Sequence, residues 1–220
     1  MKQSLFLLTL ISAAYAGMAS AQDQNFYAGL VIGRSSADVT EISRQDILGS
    51  GFTSLNSFQN GSSKSDTAWK LYGGYRFNPN IAAEFFYATL GKFSRNADGS
   101  GATASSSSVN FSLNSELKIT GFGVAALLGA PLSDRWDVFA KPGLLYWDAK
   151  RTSTVVVGSS QSASVSKSGT SPSLGVGTSY AFTDKLSARL EWERYFDVGD
   201  KNTTDKSNVN LFALSVQFTL

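Results

Sequence analysis

The sequence contains no cysteine and no histidine among its 220 residues. Without cysteine there is no disulfide, no thiolate nucleophile and no Cys-type zinc site. Without histidine the commonest general base and the commonest metal ligand are both missing. Ser-His-Asp hydrolysis and HExxH metalloproteolysis are therefore excluded outright. Charge is also scarce, at 16% of residues, where about 25% is usual. The 19 basic and 17 acidic residues nearly cancel, which leaves no electrostatic footprint for nucleic acid. Beyond the N-terminal segment, no run approaches the ~18 apolar residues of a membrane helix. Aromatics, by contrast, reach 12%, and there are 20 glycines. A surface wetted by water is usually about 25–35% charged. This composition points to a chain whose outside meets lipid through something other than helices.

Residues 1–21, MKQSLFLLTLISAAYAGMASA, have the form of an export signal. Lys2 supplies the positive start, Leu5 to Ala16 the short apolar core, and Ala19-Ser20-Ala21 the small-x-small cleavage pattern. Cleavage is expected between Ala21 and Gln22, with a weaker site after Ala16. The expected mature chain is 22–220, delivered to the cell envelope.

That chain alternates with period two, the signature of strands. In 26–36, Phe26, Ala28, Leu30 and Ile32 form one face, and Tyr27, Gly29, Val31 and Gly33 the other. Seven further runs repeat the pattern at 67–77, 81–88, 117–130, 136–149, 171–182, 186–196 and 208–220. Pro142 interrupts the 136–149 run on its apolar face, so a bulge or local break is expected there. Strands of roughly ten residues match the length that crosses a bilayer. Three connections are short, about 78–80, 131–135 and 183–185; four are longer, about 38–66, 91–115, 150–170 and 197–207. Short turns on one side and long loops on the other are the pattern of an outer-membrane barrel.

The fold class expected is all-β, an eight-stranded antiparallel up-and-down transmembrane β-barrel. Its apolar face, ringed by aromatics near the strand ends, would meet acyl chains. Its face of glycine, serine and paired charges would fill the narrow lumen. Hydrocarbon cannot satisfy an open strand edge, so the first strand must pair with the last. By parity Glu84, Lys141, Arg189 and Glu191 all point inward.

Five segments, in order, are similar to the eight-stranded membrane domain of the outer membrane protein A family and its small opacity-type relatives. They are FYAGLVIGRSSAD (26–38), GGYRFNPNIAAEFFY (73–87), GAPLSDRWDVFAKPGLLYW (129–147), LSARLEWERY (186–195) and LFALSVQFTL (211–220). The loops do not match, as is usual for exposed segments. The resemblance implies an interior charge network that blocks the lumen. It implies Glu84 as the central acid, Arg189 as its basic partner, Glu191 as a second acid and Lys141 as another interior base. In the family, alternative partners let the central pair exchange and open a path. The matching positions here hold Leu127 and Ser179, which removes that exchange.

Glu191 and Glu193 lie two apart on one face. Paired carboxylates can serve glycoside hydrolysis, but the stronger reading is two inward strand residues near a rim, with Arg and Lys nearby. The acids near the loops have no EF-hand spacing. The expectation is therefore a monomeric, non-catalytic barrel without cofactor or metal, with a structural or surface-interaction role. Its expected partners are outer-membrane lipid and, through the loops, a host or extracellular surface. Two alternatives are a narrow porin-like channel for small solutes and an adhesin acting through its long outer loops.

Overall fold

A computed structural model describes residues 25–201 and 203–220. The segment 1–21, read above as an export signal, lies outside the described residues. Nine strands and one short helix follow in chain order: β1 Phe26–Ala37, α1 Arg44–Leu48, β2 Phe52–Ser63, β3 Ser65–Asn78, β4 Ile81–Thr103, β5 Ser106–Pro131, β6 Trp136–Val157, β7 Ser159–Ala181, β8 Leu186–Val198 and β9 Ser207–Thr219. Eight of them form an antiparallel up-and-down ring, β1-β3-β4-β5-β6-β7-β8-β9, closed by β9 on β1 from Tyr27↔Thr219 to Ala37↔Val209. The ninth, β2, lies outside the ring against the upper half of β4.

Exposure decides which face looks outward. Leu30, Leu71, Phe85 and Leu214 are 53–58% exposed, whereas their strand neighbours Val31, Tyr72, Phe86 and Ala213 are 0–3% exposed. A sheet whose leucines and phenylalanines are its exposed residues is solvated by acyl chains. No helix among the described residues is long and apolar enough to cross a membrane; the crossing is made by strands. Aromatic pairs mark both ends of the apolar band. Phe26–Tyr75 and Trp136–Tyr180 stand near the short turns, Trp69–Tyr87 and Phe122–Tyr146 towards the loops. Leu30 lies between these bands, level with Leu71 and Val216. A charge placed there on the lipid face costs about 2–4 kcal/mol. Leu30→Arg should therefore lower the urea midpoint of the folded barrel in vesicles; an unchanged midpoint would place this face away from lipid.

The short turns are set by local chemistry. The Ser133 hydroxyl accepts from the Arg135 and Trp136 amides (3.4 and 3.2 Å), and the Thr183 hydroxyl does the same for Lys185 and Leu186 (3.2 and 3.0 Å). Each is a side chain closing its own turn. Pro142 produces no bulge. Leu128↔Ala140 and Ala125↔Gly143 keep one register across the gap, and Pro142 stays opposite Leu174 of β7. The missing donor removes one rung, and the ladder on both sides holds the strand in place.

The loop side is more ordered than the connection lengths imply. The stretch 91–115 is a hairpin, paired from Lys92↔Lys118 to Thr103↔Ser106. The stretch 150–170 is another, turning at Gly158. Within 38–66 stand α1 and β2. A capping box starts α1: the Asp46 amide donates to the Ser43 hydroxyl (3.3 Å) and the Ser43 amide to the Asp46 carboxylate (2.9 Å), which also accepts from the Ser43 hydroxyl (2.8 Å). The last two bonds hold the Asp46 carboxyl below the usual carboxylate range. Ile47 then packs with Ile42, Ala97 and Phe111 beneath Phe52, Leu55 and Phe58, a second small core above the barrel.

Gly91 reverses parity within β4. It sits at a bulge with φ +91°, and a Cβ there would meet Asp66 at 2.9 Å. Asp66 accepts from the next amide, Lys92, at 2.7 Å. Before the bulge even-numbered residues face the lumen; after it the odd-numbered Phe93 does.

Candidate functional site

The lumen is filled by side chains in layers. β8 contributes the most, because its alternation puts Arg189, Glu191, Glu193 and Tyr195 on one face, all at most 3% exposed. Glu84 comes from β4, Lys141 from β6 and Lys70 from β3, equally buried. Room for the rings beside them is made by glycine. A Cβ on Gly29 would stand 2.4 Å from the Tyr72 ring, and one on Gly74 2.3 Å from the Tyr27 ring.

The structure brings Glu84, Lys141, Arg189 and Glu191 together. Arg189 Nη1 donates to Glu84 Oε1 at 2.6 Å, and Tyr27 Oη donates to the same oxygen at 3.0 Å. The Arg189 guanidinium also lies 5.2 Å from the Tyr27 and Tyr72 ring centres and 5.5 Å from that of Phe139. Lys141 Nζ bonds Glu191 and pairs with Glu193, with Glu84 Oε2 at 3.8 Å. Lys70 Nζ donates to Glu193 at 2.7 Å and stands 3.3 Å from Glu191. Tyr195 Oη donates to Glu193 at 2.5 Å. Three acids thus face three bases. An ionised group buried without such partners costs several kcal/mol, which is why these groups come in a balanced set.

Lys70 and Glu193 belong to this network beyond the four residues singled out by sequence. Parity places both on the inner face. What the sequence conceals is that they meet, because they lie 123 residues apart and approach across the lumen. Leu127 is buried on the turn side and brings no charge, while the Ser179 hydroxyl donates to Asp137 at 3.1 Å. Glu191 and Glu193 each contact both lysines.

Towards the loops the lumen is dry. Leu90, Phe93, Ile119, Leu145, Val209 and Leu211 are all at most 1% exposed. Trp147 closes the layer, its indole N–H donating to the Ser171 hydroxyl at 2.8 Å. At Leu145 the alternation cannot distinguish lumen from lipid, because its neighbours Leu144 and Tyr146 are apolar too. Above it, Arg95 and Arg151 converge on Asp205 Oδ2 at 3.1 and 2.6 Å. Arg95 and Asp205 also line an open cavity of about 930 Å³, with Glu41, Ile47, Leu113, Ser153 and Lys206, among others. On the turn side a smaller polar cavity of about 230 Å³ is lined by Arg76, Asp137, Ser179 and Gln217, among others.

Comparison with known proteins agrees with this architecture. The sequence profile of the family described as OmpA-like transmembrane domain matches residues 21–219. The chain is 29% identical to outer membrane protein A of Salmonella typhi over 92% of its own length and 51% of that protein. It is 27% identical to outer membrane protein A of Shigella flexneri over 99% of its length and 56% of that protein. The chain therefore spans about half the length of the curated relatives it matches. Among solved structures, Neisserial surface protein A is similar with a TM-score of 0.49 and 15% identity, over 89% of this chain and 97% of that one.

Proposed function

Because this chain belongs to the family of OmpA-like transmembrane domains, and so forms an outer-membrane β-barrel, we propose that it serves as an architectural element of that membrane with a permanently closed lumen. The observation that carries the reading is the pair of stacked seals. The charge network fills the lumen with mutually neutralised groups. The layer above it is packed mainly with buried apolar side chains, and its few hydroxyls, Ser35 and Ser171, are already hydrogen-bonded. Partner exchange within the network would leave that second layer intact, so it opens no path. The same neutralisation argues against catalysis by the lumen carboxylates.

The test is electrical. Purified protein inserted in planar bilayers should give little or no steady single-channel current. A stable, large open state would overturn the closed-lumen reading and favour the narrow channel.

A second reading, a surface-interaction role, draws on the projecting sheet. β7 pairs with β6 along 159–180 but with β8 only from Ser173 onward. Above Ser173, alternate backbone groups of β7 therefore face outward unpaired. Such an edge is a template for an extended strand of another polypeptide. Removing 153–167 should abolish any binding to cells or matrix shown by the intact barrel, while leaving its heat-modifiable migration unchanged. Binding that survives the deletion would count against this reading.

A further inference from the structure

We propose that Lys92, Lys118 and Lys150 form a docking row for the phosphate groups of outer-leaflet glycolipid headgroups. The three residues stand on adjacent strands in direct register, Lys92↔Lys118 between β4 and β5 and Lys118↔Lys150 between β5 and β6. All three are exposed. They share the outer face of the barrel. Lys118 and Lys150 have the parity of the lipid-facing Phe122 and Tyr146, and the bulge at Gly91 turns Lys92 to the same side. Like charges directly opposite on neighbouring strands repel at Cβ separations of about 4.5–5.5 Å. Three in a row is an arrangement that an external anion relieves.

The counter-charges on this face are few. Glu116 Oε1 lies 3.1 Å from Lys92 Nζ. Asp148 is exposed on β6, opposite Thr120. Lys118 and Lys150 have no ion pair or side-chain hydrogen bond among the described residues.

Height selects the ligand. Lys118 lies four residues beyond Phe122, and Lys150 four beyond Tyr146, in the aromatic band towards the loops. Four residues of strand, tilted as in such barrels, raise the ammonium groups about 10 Å above that band. That is the headgroup zone. A phosphate monoester carries up to two negative charges and several acceptor oxygens, enough to bridge two neighbouring ammonium groups. The exposed hydroxyls of Ser166 and Ser168 on β7 present donors to the sugar that bears it.

The experiment uses the full folded chain in detergent, with bisphosphorylated lipid A and its dephosphorylated form as probes and bound lipid read by native mass spectrometry. Wild type should retain the phosphorylated lipid preferentially. Lys118→Gln and Lys150→Gln should each weaken retention about five-fold, the size expected of one basic side chain at an anionic lipid surface. The triple variant with Lys92→Gln should bind both lipids alike. Lys185→Gln, in a short turn on the opposite side, should change nothing. Heat-modifiable migration confirms that each variant is folded, and relief of repulsion favours folding. The proposal falls if wild type binds both lipids equally or if the triple variant retains the phosphorylated lipid. It also falls if inorganic phosphate displaces the lipid at concentrations that mark the row as a simple phosphate site.

Discussion

Deleting residues 207–220 should leave a chain that never reaches the detergent-resistant, heat-modifiable folded form. β9 joins β8 to β1, with pairings from Leu186↔Phe218 to Val198↔Ser207 on one side and from Tyr27↔Thr219 to Ala37↔Val209 on the other. Without it both neighbours would present an open edge to hydrocarbon. Each unsatisfied backbone group there costs several kcal/mol, and the missing strand would expose many. β9 also brings Val209 and Leu211 to the dry layer and Ser215 to the lumen. The effect expected is therefore loss of insertion rather than a weakened barrel. The readout is a gel of membrane fractions with and without boiling. A truncated chain that still migrates in two forms would show that closure by β9 is dispensable.

Arg189→Met should be the most damaging single substitution in the lumen. It leaves Glu84 buried with Tyr27 and, at 3.8 Å, Lys141. Breaking a buried pair by removing one partner typically costs about 3–5 kcal/mol. The nearby Lys141 argues for the lower end of that range. Replacing both members, Arg189→Met with Glu84→Met, removes the stranded charge and should restore most of the loss. Urea unfolding in lipid vesicles, followed by tryptophan fluorescence, measures both. If the single substitution shifts stability by less than about 1 kcal/mol, or the double is no better than the single, the network is not held by mutual neutralisation.

Much of this architecture is written locally. Period-two alternation in FYAGLVIG or LSARLEWERY needs no knowledge of the rest of the chain, since a strand turns every second side chain to the same face. The turns at Ser133 and Thr183 are equally local. The capping box at Ser43 and Asp46 is a sequence signal too, but it lies in a stretch whose length suggested only loop. The hairpin at 91–115 escaped because Gly and Ser fill its tip from Gly99 to Ser108 and mask the alternation of Val109, Phe111 and Leu113 with Asn110, Ser112 and Asn114 that follows. The bulge at Gly91 escaped because one inserted residue changes the parity of everything after it.

By its residues alone, this protein determined that it would be an eight-stranded barrel with an apolar outside and with Glu84, Lys141, Arg189 and Glu191 inside. The tertiary structure decided which of those groups meet. It added Lys70 and Glu193 to the network, set Phe93 and Leu145 as a dry layer above it, and aligned Lys92, Lys118 and Lys150 on the outer wall. The physical reason is the stagger of strands around a closed sheet. Which side a residue faces is a property of its own strand, whereas its height, and so its neighbours across the lumen or along the wall, is fixed only when the ring closes.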